Sequence, residues 1–302
     1  MTALRVLRRL CAAAVLGLAA LGACAQASPP AWADFRDPRP VAILGYAGEA
    51  MEPFLSRDGA TLFFNNRNGP HDQTDIHWAE RVDDLTFRYR GPVAGANSAA
   101  LDGVPTMSRT GRFCFISTRA YRQSLATVHC GAWSRGQLTG VTLQTEASVH
   151  IPGRLVFDVE IDAAGERLIL ADGRFDGGAM PATADLRQAR WADGEFRLWP
   201  ADDRLFAAIN TGALEYAPAL SADGRLLAFT RLEGHPPLAR LGVWIARRET
   251  PDAAFGPPVR LDAIAGFVEG PTFSPAGDAI YYHRREAGHF SLWRVTLATA
   301  AR

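Results

Sequence analysis

Short apolar runs recur along this chain in pairs, and a polar turn ending in glycine divides each pair. The clearest pair is Tyr216-Ala217-Pro218-Ala219-Leu220 and Leu226-Leu227-Ala228-Phe229, separated by Ser221-Ala222-Asp223-Gly224-Arg225. Such a pattern predicts a strand, a tight turn and a second strand, because glycine reaches positive φ without a Cβ clash. Related pairs surround Ser56-Arg57-Asp58-Gly59, Ser108-Arg109-Thr110-Gly111, Asp162-Ala163-Ala164-Gly165 and Ser274-Pro275-Ala276-Gly277. The turn glycines 59, 111, 165, 224 and 277 are spaced by 52, 54, 59 and 53 residues. A period near fifty is the signature of a repeat array or a propeller.

A third run follows each pair, at 75–79, 126–130, 185–189, 242–246 and 291–295, and looser fourth runs follow at 87–93, 196–199 and 255–261. Four strands per repeat make one propeller blade. The fifth copy ends after its third run, at Leu297, while a lone apolar run at 40–46 precedes the first copy. The expected fold is therefore all-β: a five-bladed β-propeller of four-stranded blades over residues 40–297. The N-terminal strand would pair with the last blade and remove an exposed sheet edge. Residues 28–39 read as a lead-in.

The motif Pro-x-x-Ser-x-Asp-Gly-x-x-Leu-x-Phe, then an Arg, then Asp-Ile-x-Trp (Asp75-Ile76-His77-Trp78 in the first copy), resembles the WD-like β-propeller repeat of the TolB type. Copies one, four and five carry it well. Copy two has Thr110 in place of the Asp, and copy three lacks both the Pro and the Ser-x-Asp. The resemblance spans nearly the whole chain after residue 27. It implies a propeller, and it implies several roles: a binding platform, an assembly partner in the periplasm, or a domain appended to a peptidase.

Composition adds a compartment. Arg5, Arg8 and Arg9 precede an apolar stretch at 10–21, which has secretory length and is short for a membrane span. Residues 1–27 thus read as a signal peptide with two possible exits. Leu21-Gly22-Ala23-Cys24 resembles a lipobox that would lipidate Cys24; Ala25-Gln26-Ala27 resembles an ordinary cleavage site. Either exit places the protein in the periplasm or, lipid-anchored, at the outer membrane. Export permits disulfides, and Cys114 and Cys130 would face each other across a hairpin. Acidic and basic residues balance at 32 each, all the basic ones being Arg, and no basic run suggests a nucleic-acid partner.

Candidate chemistry clusters on the first strand of each repeat, which a propeller places around its axis. An acid enters that strand in every copy: Glu52, Asp102, Asp158 with Glu160, Glu215 and Glu269. A ring of carboxylates could bind a cation or do acid–base work, since crowded carboxylates push each other's pKa values apart. It could equally accept hydrogen bonds from neighbouring blades and hold the ring together. Arg67, Arg119, Arg231 and Arg284, with Arg174 as a shifted counterpart, follow the second strands. They suit either structural pairing or an anion site at one mouth. The loop at 65–77 adds His71, Asp75 and His77, without the spacing of a known zinc site. Trp78, Trp244 and Trp293 share one repeat position and suit inter-blade packing better than a stacking platform. The sequence contains no Gly-x-Ser-x-Gly, His-Glu-x-x-His or dinucleotide fingerprint.

The expected function is a monomeric, non-enzymatic binding or protein-interaction module of the cell envelope. It would need no cofactor and no metal, and its partner would be an envelope protein or a glycan or peptide ligand. The alternative is a glycoside hydrolase or lyase using Glu52, Asp102, Asp158 and Glu160, as five-bladed glycosidases use acids of their inner strands. The candidate binding residues are Glu215, Glu269, His71 and the five arginines.

Overall fold

The computed structural model describes residues 28–67, 74–178, 180–234 and 238–298. The leader, with Cys24, and His71 lie outside the described residues. A 3₁₀ turn at Ala31–Ala33 leads into β1 (Phe35–Pro40) and β2 (Ala42–Leu44). A first antiparallel group follows: β3 (Met51–Leu55), β4 (Thr61–Asn65), β5 (Ile76–Asp83) and β6 (Thr86–Pro92). The second is β7 (Asp102–Met107), β8 (Arg112–Ser117), β9 (Val128–Ser134) and β10 (Gln137–Leu143), with a short helix, Tyr121–Ser124, between β8 and β9. The third is β11 (Arg154–Ile161), β12 (Arg167–Arg174), β13 (Thr183–Ala192) and β14 (Glu195–Leu198). The fourth is β15 (Leu214–Leu220), β16 (Leu226–Glu233), β17 (Arg240–Arg247) and the short β18 (Val259–Arg260). One parallel pair, Ala184 with Leu214, joins these two groups into a single sheet. The last group is β19 (Phe267–Phe273), β20 (Ala279–Glu286) and β21 (His289–Leu297), with β1 antiparallel on β21.

The N-terminal strand lies earlier than the apolar run at 40–46 suggested. Phe35–Pro40, all but its last residue in the expected lead-in, pairs with β21, while Ala42–Leu44 pairs parallel with β6. The chain changes sheet between them. Val41 N donates to Leu292 O and Ala42 N to Leu85 O, and the Val41 side chain is buried between the first and last groups. Pro40, with no N–H to leave unpaired, suits the end of an edge strand.

The turns explain why the third copy lacks its motif. In the fourth copy Ser221 Oγ donates to Asp223 Oδ1 (2.6 Å) and accepts from Leu226 N (2.9 Å), with Gly224 at φ +69°. The first copy repeats this with Ser56, Asp58 and Thr61 N. In the third copy Asp162 replaces both side chains: its Oδ1 accepts from the amides of Gly165, Glu166 and Arg167. A carboxylate with several acceptor sites can close the turn alone.

Five apolar clusters fill the spaces between successive groups, and one of them joins first to last through Leu62, Phe64, Tyr281 and Leu292. Trp78, Trp244 and Trp293 each pack against one of these clusters. Cys114 and Cys130 are register partners on β8 and β9, their sulfurs are bonded, and they lie in the cluster between groups two and three.

Candidate functional site

The first strands of the five groups meet side by side: β3 with β7, β7 with β11, β11 with β15, β15 with β19, and β19 with β3. Each has a register break against its own partner strand. In four of them the break holds a proline, Pro53, Pro105, Pro218 or Pro271, which has no ladder N–H to lose. The residue before it is forced to positive φ: Glu52 (45°), Val104 (53°), Ala217 (48°) and Gly270 (63°). For residues with a Cβ this costs on the order of 1–3 kcal/mol each, so the surroundings must hold it.

The surroundings do so by capping each displaced N–H from the neighbouring group. Val104 N donates to Asn65 Oδ1 (3.0 Å), Ala217 N to Asp158 Oδ2 (2.7 Å), Gly270 N to Thr230 Oγ1 (3.3 Å) and Glu52 N to His283 Nδ1 (3.1 Å). Further along the strands the pattern repeats. Ile161 N donates to Thr106 Oγ1 (3.0 Å), Leu220 N to Glu160 Oε1 (3.0 Å) and Leu55 N to Thr272 Oγ1 (3.3 Å). Glu160 stands at the repeat position of Thr106 and Thr272, while Asp158, on the first strand, does the capping that Asn65, Thr230 and His283 do from second strands, where the third copy has Ala171.

The six acids do not form one ring of equivalents. Counted back from the turn glycine, Glu52 and Asp158 stand seven residues away, Asp102 and Glu215 nine, Glu269 eight and Glu160 five. Asp102 and Glu215 form matched clasps. Asp102 accepts from Ser98 N and Oγ and pairs with Arg119; Glu215 accepts from Thr211 N (3.2 Å) and Oγ1 (2.7 Å) and pairs with Arg231 (2.8 Å). Beside each clasp an asparagine side chain mimics a strand: Asn97 bonds the N and O of Ile76, and Asn210 those of Leu186. These are frame contacts.

Glu52, Asp158 and Glu269 form a buried cluster with His283 and Tyr216. His283 Nε2 lies 3.3 Å from Glu269 Oε2, His283 Nδ1 lies 3.9 Å from Glu52 Oε1, and the Tyr216 hydroxyl donates to Glu269 Oε1. Burial, reinforced by the charges of Glu52 and Glu269, holds the Asp158 carboxyl well above its ordinary value. Burial alone would lower His283, but the two flanking carboxylates outweigh it and raise the imidazole above its usual value. Burial would raise Glu269, but its bonds to His283 and Tyr216 hold it below the usual carboxylate range.

Arg57 closes the other end of these strands. Its guanidinium reaches across to Leu220 O (2.9 Å), Ile161 O (2.6 Å) and Glu160 Oε1 (2.7 Å), and both charges of the pair are about 5% exposed or less. The inner strands leave a small, partly open cavity of about 20 Å³ lined by Glu52, Glu160 and the four prolines Pro53, Pro105, Pro218 and Pro271. That is room for about one water.

The arginines also fall into separate roles. Arg119 and Arg231 are spent on Asp102 and Glu215. Arg284 pairs with Glu286 (2.7 Å) and lies 4.7 Å over Trp293; Arg174 pairs with Asp176 (2.6 Å) at the surface. Arg67 is exposed and makes no ion pair with a described residue. It borders a surface cavity of about 410 Å³ with Tyr46, Gly48, Glu49, Asn66 and His77. Behind that cavity the Tyr46 ring packs on Phe64 and Tyr89 (5.0 Å each), and His77 Nδ1 is 2.7 Å from the Tyr89 hydroxyl. Burial pushes Tyr46 up to about 12 and His77 down to about 4, so both are neutral at pH 7. Among the described residues no three His, Cys, Asp or Glu side chains converge as a metal site, and no helix is long and apolar enough to cross a membrane.

Arg57, Tyr46, Tyr216 and His283 are absent from the sequence-derived candidates. His283 departs from its equivalents in the repeat, Asn65, Ser117, Ala171 and Thr230, whereas Arg57 has an equivalent arginine, Arg109, in the second copy and is not marked out in this way. For His283 that departure was the available signal.

No protein-family model matches the chain, and no curated protein matches it. Similar solved structures include a family 117 glycoside hydrolase, Zg3597, from Zobellia galactanivorans. It is 11% identical, with 88% of this chain and 91% of that one covered and a TM-score of 0.54. The endo-arabinase of Bacteroides thetaiotaomicron is 14% identical over 87% and 98%, with a TM-score of 0.53. TolB from Acinetobacter baumannii is 17% identical with a TM-score of 0.47; the match covers 84% of this chain and 55% of TolB, so the chain spans about half the length of that protein. At these identities the likeness concerns architecture alone, and the chain has a β-propeller fold.

Proposed function

We propose that this protein is an exported, non-enzymatic binding module of the cell envelope, a five-bladed propeller whose last blade is completed by β1. The reading rests on the fate of the inner-strand carboxylates. Asp158 and Glu160 accept the amides of Ala217 and Leu220, and Asp102 and Glu215 are clasped by arginine and hydroxyl donors. A glycosidase needs two carboxyls flanking a sugar, whereas the axial cavity here has room for about one water. The signal-like leader and the Cys114–Cys130 bond suit an oxidising compartment; Cys24 is the residue that would carry a lipid anchor. Incubation of the purified protein with arabinans, pectic fragments and other polysaccharides, with released sugars measured, is expected to yield no turnover. Turnover that disappears in Glu52→Gln or Asp158→Asn would overturn the proposal in favour of a hydrolase or lyase.

A further inference from the structure

The cavity beside Tyr46 carries two opposite charges that do not satisfy each other. Arg67 stands at its edge with no ion pair to a described residue. Glu49 stands on the same cavity and is held only loosely, 3.4 Å from Phe290 N and 4.0 Å from His289 Nδ1, with its side chain 36% exposed. Arg67 and Glu49 form no ion pair with each other. Other arginines are paired with an acid, as at Arg119–Asp102, Arg154–Asp172, Arg190–Asp202 and Arg231–Glu215. The wall is also built. The Tyr46 ring is fixed by Phe64 and Tyr89, and its hydroxyl donates to Glu49 O (2.8 Å). His77, tied to Tyr89 through Nδ1, leaves its buried Nε2 without a hydrogen-bond partner. A volume of about 410 Å³ lies within the range of small-ligand pockets.

We infer that this cavity binds a short zwitterionic peptide, its carboxylate on Arg67, its ammonium on Glu49 and its body against the Tyr46 ring. A guanidinium offers paired N–H donors to a carboxylate, and a carboxylate accepts the ammonium protons, so each end gains a charge-assisted bond. The inference rests on the binding-module reading and names its ligand class.

The test is saturation-transfer NMR on the whole protein with an equimolar mixture of free dipeptides, and with the same mixture N-acetylated or C-amidated. The free dipeptides are expected to bind, and either block is expected to weaken binding about ten- to hundred-fold, the worth of one charge-assisted contact. Arg67→Gln should reproduce the loss seen on amidation and add little to it; Glu49→Gln should do the same for acetylation. Circular dichroism confirms that both surface variants fold. No binding by the free mixture, or equal binding by the blocked mixtures, overturns the inference. Binding of a neutral oligosaccharide alone would overturn it while leaving the binding-module reading intact, and that reading is decided separately by the turnover assay.

Discussion

Replacing Arg57 by methionine removes the guanidinium that closes one end of the axis, and with it the guanidinium's contact over the Phe54 ring, but keeps an apolar stem. Three polar contacts disappear at once, to Glu160 Oε1, Ile161 O and Leu220 O. The decisive loss is the charge partner of Glu160, whose side chain is 4% exposed. Leaving one member of a buried ion pair without its partner costs about 3–5 kcal/mol. The remaining donors to Glu160, Leu220 N and Thr106 Oγ1, offset part of the penalty and place the expected loss near the lower end, about 3 kcal/mol. For a domain of this size that lowers Tm by about 6–12 °C. Urea denaturation followed by fluorescence of the seven tryptophans measures it directly. Adding Glu160→Gln to Arg57→Met removes the orphaned charge while an amide oxygen still accepts from Leu220 N, so the double variant should recover about half the loss. An Arg57→Met variant within about 1 kcal/mol of wild type would refute the reasoning, as would a double variant less stable than the single.

The disulfide closes a loop with a sequence separation of 16, so reduction or the Cys114→Ala, Cys130→Ala pair should lower stability by about 3 kcal/mol, read from the shift in urea midpoint. The buried cluster predicts a pH dependence as well. Because the folded-state pKa of Asp158 is raised, its contribution is fully present below the ordinary carboxylate value and is lost as pH rises through the elevated one. The stability of Asp158→Asn, which keeps an acceptor for Ala217 N, should therefore fall less than that of wild type as pH rises above the ordinary carboxylate value. Parallel pH profiles for the two proteins would show that the Asp158 carboxyl is not raised.

Much of the architecture is legible in the chain itself. The fifty-residue period, the Ser-x-Asp-Gly turns and the apolar runs mark the strands of every group, and Cys114 and Cys130 fall opposite each other by counting alone. These features are local: a strand's alternation and a turn's glycine act over a few residues. Even the non-equivalence of the six acids is written there, in their differing distances from the turn glycine. Their partners are not. Glu52 meets His283 across 231 positions, and Arg57 meets Leu220 across 163. Those meetings exist because proline-containing register breaks turn inner-strand amides away from their own sheets and toward a shared axis. Only the packing of five separate strands around that axis decides which side chain caps which amide. It made Asp158 and Glu160 part of the frame, and it left Arg67 and Glu49 facing one cavity from loops that are far from the axis in role though close to it in sequence.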